Sequence, residues 1–253
     1  MLNFVDSHCH IHTSKYYDKP EEVIKRSNEA GVTRLITVGT DDNDSLIAAQ
    51  FANKHENIWA SIGLIPHEAK LGRNSLQNLN DLVKHPKVVA IGECGLDYYY
   101  LYSTKTDQIK ALEYQIELAL ESNLPLIFHI RDAFGDFWHI FDQYTGVNGV
   151  VHSFSANKNE LDNILSRGLY IGLNGITTFT KNQDQLDAFK DVPLEKLLLE
   201  TDAPYLTPTP LRGTINESKN IPIIAEYLCE LRGDKLEEMA TTTTSNTQKL
   251  FRL

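Results

Sequence analysis

Two imidazoles stand two positions apart in Asp6-Ser7-His8-Cys9-His10. Side chains two apart on an extended strand share a face, so His8 and His10 point together and make half of a metal site. A lone His-x-His pair is common and carries little weight. Four further residues strengthen it: Glu93, His129, His152 and Asp202 lie at the ends of short, mostly aliphatic runs. Imidazole and carboxylate donors without a thiolate suit Zn²⁺, Mn²⁺, Fe²⁺ or Mg²⁺, and disfavour Cu(I) or an iron–sulfur cluster. Six groups exceed the needs of one tetrahedral ion. A carboxylate such as Glu93 can bridge, so two divalent ions about 3.5–4 Å apart are expected. Such a pair would make water nucleophilic near neutral pH and offset charge building on a phosphoryl or carbonyl oxygen. The competing reading is that these are polar ends of ordinary strands.

Residues so far apart in sequence need a frame that gathers strand ends. Short β-branched or aliphatic runs occur at residues 3–8, 33–39, 58–63, 88–93, 125–130, 149–153, 169–174 and 196–202. Most are near-continuous apolar runs, as parallel strands covered on both faces require. Helical periodicity lies between them. Residues 20–30 carry Pro20 near the start and Gly31 just past the end, a pair of helix boundary signals. Residues 106–122 place Leu112, Ile116, Ala119 and Leu120 at helical spacing, and residues 161–167 end at Gly168. Eight alternating units predict an α/β chain with a (β/α)8 TIM barrel, whose strand ends meet at one face. An open doubly wound sheet has the same periodicity, which does not reveal closure. Residues 221–253 predict two or three additional C-terminal helices, and the Pro-rich residues 203–220 an ordered loop. No composition break divides residues 1–253, so a single domain is expected.

The composition narrows the function classes. The chain has 253 residues, 42% hydrophobic and 23% charged, values that exclude a disordered, collagen-like or coiled-coil chain. The net charge of −10 argues against a protein that coats duplex DNA by charge alone, and against a membrane-surface binder. It leaves room for a nucleic-acid enzyme whose carboxylates hold metal ions. Cys9, Cys94 and Cys229 form no Cys-x-x-Cys pair and read as thiols of a reducing compartment. With neither a leader pattern nor an apolar span, a cytoplasmic protein is expected.

In order along the chain, DSHCH, GECGLDYYY (92–100), LPLIFHIRDA (124–133), GVVHSFS (149–155), ETDAPYLTPTP (200–210), RGTIN (212–216) and TTTTSNTQKLF (241–251) resemble the motifs of the TatD family of metal-dependent deoxyribonucleases, within the amidohydrolase-like barrels. The set spans nearly the whole chain and is more specific than any one member. The resemblance implies that His8, His10 and Glu93 hold one metal with Asp202 beside it, and that Glu93, His129 and His152 hold the second. It implies hydrolysis of DNA phosphodiesters, often as a 3′→5′ exonuclease preferring single strands, with Mg²⁺ or a similar ion. Roles in DNA repair or in degrading DNA during cell death follow only from the resemblance. Three positions depart from the pattern: Ile65 replaces the first His of GxHPH, Ala156 ends HSFSA where HCFSG is usual, and Ser218 follows Glu217 in place of Pro.

In the nuclease reading Asp202 orients or deprotonates water, with Glu93 beside it. Arg131, two positions after His129, is a candidate to hold a phosphate bidentately; the alternative is a salt bridge to Asp132 or Asp136. His67 is a candidate phosphate contact or a loop cap, and Arg212 a weaker substrate contact. Tyr98, Tyr99, Tyr100 and Tyr102 offer rings that stack unpaired bases, or a loop packed on the barrel rim; Tyr98 is taken as the substrate-binding member. His12 suits a supporting or loop role, and Cys9 and Cys94 should turn away from the metals. Two divalent ions would bring the net charge only to −6, so a short single-stranded stretch or a free 3′ end is the expected partner, bound by a monomer. Two alternatives stay open: a hydrolase of small cyclic amides, lactones or phosphotriesters, which often bridges its metals with a carboxylated lysine where Glu93 stands here, and a non-catalytic metal-dependent scaffold.

Overall fold

The computed structural model describes residues 2–13 and 19–253. Among them are eight strands in the order β1 (Phe4–Cys9), β2 (Val32–Val38), β3 (Ile58–Ile62), β4 (Val88–Asp97), β5 (Leu126–Arg131), β6 (Gly149–Val151), β7 (Tyr170–Leu173) and β8 (Leu197–Leu199). Between them lie α1 (Pro20–Glu29), α2 (Asp42–Ala52), α3 (Gly72–Leu82), α4 (Lys105–Ser122), α5 (Phe134–Phe141), α6 (Lys158–Ser166) and α7 (Gln183–Asp191). The architecture is the expected (β/α)8 barrel, with α8 (Ile221–Arg232) and α9 (Leu236–Phe251) added after the last strand. No helix among the described residues is long and apolar enough to cross a membrane. The chain divides into two compact units, one of residues 1–37 with 153–253 and the other of residues 38–152.

In the first unit β1 pairs with β2 and β7 with β8, both parallel, and a parallel bridge joins Cys9 to Ala203. β7 and β8 are apolar and buried, β1 is buried although it contains Asp6, Ser7 and His8, and β2 is buried except at Thr33 and Arg34. α9 lays Met239, Ala240, Leu250 and Phe251 inward. Its Asn246 amide donates to the Leu194 and Leu197 carbonyls at 2.8 and 2.9 Å, fixing the start of β8. Arg26, in the last turn of α1, makes two hydrogen bonds to Glu217 at 2.9 and 3.0 Å. That pair fastens α1 to the last part of the Pro-rich loop.

In the second unit β3, β4, β5 and β6 pair in parallel. β4 runs four residues beyond the aliphatic pattern, to Asp97, so Glu93 lies inside the strand. A register shift falls between Ile91 and Cys94. Gly95 breaks the aliphatic run for a steric reason. A Cβ there would sit 1.9 Å from the His129 carbonyl oxygen, and its φ is +148°. β4 and β5 thus approach closely where Glu93 and His129 stand.

α4 starts at Thr104, whose hydroxyl accepts from the Asp107 amide at 3.1 Å, and ends at Asn123 in the left-handed conformation. Its inner face contains Leu112, Ile116 and Ala119 as expected, but Leu120 is exposed and Gln108 and Gln115 are buried instead. Gln115 accepts from the Leu64 amide at 2.7 Å and donates to the Leu64 carbonyl at 3.0 Å. Gln108 does the same for Asp97, at 2.8 and 3.0 Å. Two amides read from sequence as polar helix positions therefore hold the chain just before His67 and at the end of β4.

Burial alone would raise the Glu217 carboxyl, but the Arg26 hydrogen bonds and nearby Lys219 outweigh it and hold its pKa below the usual value. A depressed carboxylate stabilises the fold above its unfolded pKa, and the gain is lost as pH falls through the folded value. Arg26→Ala is therefore expected to cost about 1 kcal/mol at pH 7, with the difference from the parent shrinking below about pH 4. Urea unfolding at the two pH values checks this; a cost of the same size at both contradicts it.

Candidate metal centre

The first unit gathers three donors. His8 lies in β1 and His10 just past its end. Their rings converge, with centroids 5.2 Å apart. The strand ladder continues through the backbone, with the Asp202 amide donating to the His8 carbonyl at 2.9 Å and the His10 amide to the Ala203 carbonyl at 2.7 Å. That registration, with Asp202 at φ +55°, brings its carboxylate between the rings. Asp202 Oδ1 is 3.7 Å from His8 Nε2 and 3.5 Å from His10 Nε2. Two donors each about 2.1 Å from one ion sit about 3.4 Å apart at the tetrahedral angle. The three groups therefore fit one divalent cation.

Asp6 builds the floor of this cluster. It is fully buried and accepts from the Thr201 amide at 2.9 Å, from the Thr201 and Ser218 hydroxyls, and from the His8 amide at 3.3 Å. Burial pushes its carboxyl up to about 7 against those hydrogen bonds. Asn216 donates to the Thr201 and Tyr205 carbonyls at 3.0 and 2.7 Å, tying the RGTIN segment to the residue before Asp202. Ser218, one of the departures from the family pattern, thus reaches Asp6 directly. Sequence reasoning left Asp6 without a role, although it opens the DSHCH motif.

The second unit gathers Glu93, His129 and His152. Glu93 Oε1 lies 2.8 Å from His129 Nδ1 and 3.3 Å from His152 Nε2, and Glu93 and His152 are buried. The other nitrogen of His129 faces Asp97, with Nε2 3.2 Å from Asp97 Oδ2. His67 Nε2 reaches the same oxygen at 2.9 Å. Burial works against an anionic Asp97, yet bonds from His129, His67 and the Tyr100 amide hold its pKa well below the usual carboxylate range. Burial likewise favours a neutral His129, and Asp97 and Glu93 outweigh it, so that its pKa is raised. Asp97 was not singled out from sequence. Four positions after Glu93 on one strand, it shares the Glu93 face by parity, and that signal was available.

The remaining residues fall as follows. The Arg131 guanidinium lies 3.9 Å over the Tyr99 ring. Tyr98 donates its hydroxyl to Asp136 at 2.8 Å, and Lys105 sits 3.8 Å over its ring. Arg212 donates to the Thr207 carbonyl at 2.8 Å and lies 3.8 Å over Phe179. His12 Nδ1 meets the Thr37 hydroxyl at 2.6 Å. Cys9 and Cys94 are buried and donate to the Ile36 and Ile127 carbonyls at 3.5 and 3.8 Å. Burial pushes both thiols well above their ordinary pKa, which leaves them protonated.

Residues 5–252 match the family described as TatD related DNase, and the chain belongs to that family. It is a metal-dependent hydrolase. The chain is 36% identical to an uncharacterized metal-dependent hydrolase of Bacillus subtilis, YabD, over 98% of both chains. It is 34% identical to a protein of Cronobacter sakazakii named 3′-5′ ssDNA/RNA exonuclease TatD, over 97% of both. Among solved structures, YJJV, a TatD homologue from Escherichia coli, superposes with a TM-score of 0.93 at 29% identity, covering 99% of this chain and 98% of that one.

A carboxylate on the second nitrogen of a metal-binding imidazole fixes its tautomer and orientation, and removing it costs about 10–100-fold in metal affinity. Asp97→Asn is expected to weaken binding of Mn²⁺ or Zn²⁺ by that factor with the circular dichroism unchanged. Titration calorimetry on the metal-stripped protein checks it, and an unchanged dissociation constant contradicts it.

Proposed function

We propose that the chain is a divalent-metal-dependent deoxyribonuclease that shortens single-stranded DNA from a free 3′ end. The observation that carries this reading is the donor cluster His8–His10–Asp202, whose imidazole nitrogens stand 3.7 and 3.5 Å from the Asp202 carboxylate, supported by the Glu93 carboxylate 3.3 Å from His152 and paired with His129 at 2.8 Å. In this reading residues 1–253 act as one catalytic domain, and both clusters serve one pair of ions. His8, His10, Glu93 and Asp202 hold the first; Glu93, His129 and His152 hold the second. Parallel barrel strands send their C-terminal ends to one face, which supports the pooling of donors. The donor set accepts Mg²⁺, Mn²⁺ or Zn²⁺.

When bound, such ions supply nucleophilic water at neutral pH and offset charge on the phosphate. The chain's own residues do the rest. Asp202 orients the attacking water and takes its proton. Glu93, carried by β4, supplies the carboxylate that pairs with His129 and His152. His67, held by Asp97, and Arg131 contact phosphate oxygens, and Arg212 and Tyr98 contribute further substrate contacts. The net charge of −10 disfavours long duplexes and leaves a single strand end as the substrate. The relatives named ssDNA/RNA exonucleases at 31–34% identity support that substrate class. A monomer in the cytoplasm, with a part in DNA repair, completes the reading; the three buried thiols suit a reducing compartment.

The test is a 5′-labelled single-stranded oligonucleotide incubated with protein loaded with Mg²⁺, Mn²⁺ or Zn²⁺. A ladder shortening from the 3′ end is expected, abolished by EDTA and slowed about 10²–10⁴-fold by Asp202→Asn. An intact oligonucleotide with all three metals overturns the reading.

A further inference from the structure

Beyond Asp97 the chain runs Tyr98-Tyr99-Tyr100-Leu101-Tyr102. Aromatic rings ordinarily supply core area, yet Tyr99 and Tyr102 are each 59% exposed and Tyr100 46%. The rings are arranged against one another. Tyr100 and Tyr102 stack with centroids 5.4 Å apart and planes 8° apart, and Tyr99 meets Tyr100 edge-on at 4.8 Å. The Arg131 guanidinium lies 3.9 Å from the Tyr99 centroid and 4.8 Å from that of Tyr100.

The backbone beneath is pinned. The Tyr99 and Tyr100 amides donate to Asp97 Oδ1 at 2.9 and 3.0 Å, and Ser103 donates to the His67 carbonyl at 2.8 Å. The array also touches the donor cluster of its own unit. The His67 ring meets Tyr100 at 5.6 Å, Tyr102 at 5.2 Å and His129 at 5.8 Å.

Part-exposed rings interleaved with a guanidinium match the two parts of a single strand, its flat bases and its phosphates. The Arg131 guanidinium among the rings supplies an anion-binding group that a phosphate backbone uses and an apolar peptide does not. Paired bases are already stacked on their neighbours and cannot lie on such a surface without unpairing.

We propose that Tyr99, Tyr100 and Tyr102, with Arg131, form a stacking shelf for unpaired nucleobases next to the scissile nucleotide. The proposal rests on the nuclease reading and explains selection of single strands. It asks nothing of base identity, because every base has a π-face.

The test uses the full chain in EDTA, where cleavage is blocked, with fluorescein-labelled dT8 and an identically labelled abasic oligomer that has the same number of phosphates. The wild type is expected to bind dT8 about tenfold or more tightly than the abasic strand, and to quench 2-aminopurine in a strand that contains it. Tyr99→Ala/Tyr102→Ala is expected to remove both the gap and the quench without changing the melting temperature. Tyr99→Phe/Tyr102→Phe is expected to keep both. Equal affinity of the wild type for the two strands, failure of both to bind, or a gap that survives the double alanine variant overturns the shelf. A metal-loaded enzyme that cleaves DNA but shows no gap leaves the nuclease reading standing without the shelf. A gap without cleavage under any metal leaves a strand-binding shelf on a protein that is not a nuclease.

Discussion

The central constraint is the cost of keeping carboxylates and imidazoles together away from water. Glu93, Asp97, His8 and His152 are all buried. An isolated buried charge costs many kcal/mol, and the cost is met only by pairing, hydrogen bonding or a shared cation. At Asp97 the compensation is visible, with two imidazoles and two backbone amides on one carboxylate. At Asp202 and Glu93 the imidazole nitrogens stand at separations between donors of one ion. A divalent cation there would neutralise that charge, and its binding would be coupled to the stability of the site.

Holding such groups in place falls to residues with no chemistry of their own. Gln108 and Gln115 use the two-sided hydrogen bonding of an amide to grip a backbone N–H and C=O together. Gly95 lets β4 pass close to the His129 carbonyl. Asp6 and Asn216 converge on Thr201, immediately before Asp202. These contacts restrict the movement of each donor, and a metal site loses affinity when its donors wander.

Much of this was legible in the sequence. Period-two spacing gave His8 and His10 a common face, and eight apolar runs gave the barrel order. The strand ends were less legible, because hydrophobicity marks where a strand is covered and not where its ladder stops. The fourth aliphatic run ends near Glu93, but hydrogen bonding carries β4 on to Asp97. The sixth and eighth strands stop early, at Val151 and Leu199, and His152 and Asp202 follow outside the strands on backbone still bonded to its neighbours, with Asp202 at φ +55°. Leu120 fitted the helical spacing but faces water, and Gln108 and Gln115 took the inner face. Helical periodicity counts apolar residues and overlooks a buried amide that is fully bonded. The parity of Asp97 with Glu93 was legible, but its pairing was not: its partner His67 lies thirty residues away, and only the fold brings the two together.

Anomalous diffraction from crystals soaked in Mn²⁺ addresses the central claim most directly. Two peaks are expected, one among His8, His10 and Asp202 and the other beside His129 and His152, with Glu93 within ligand distance of both. A single peak, or density confined to His67, Asp97 and His129, would contradict a shared two-ion centre.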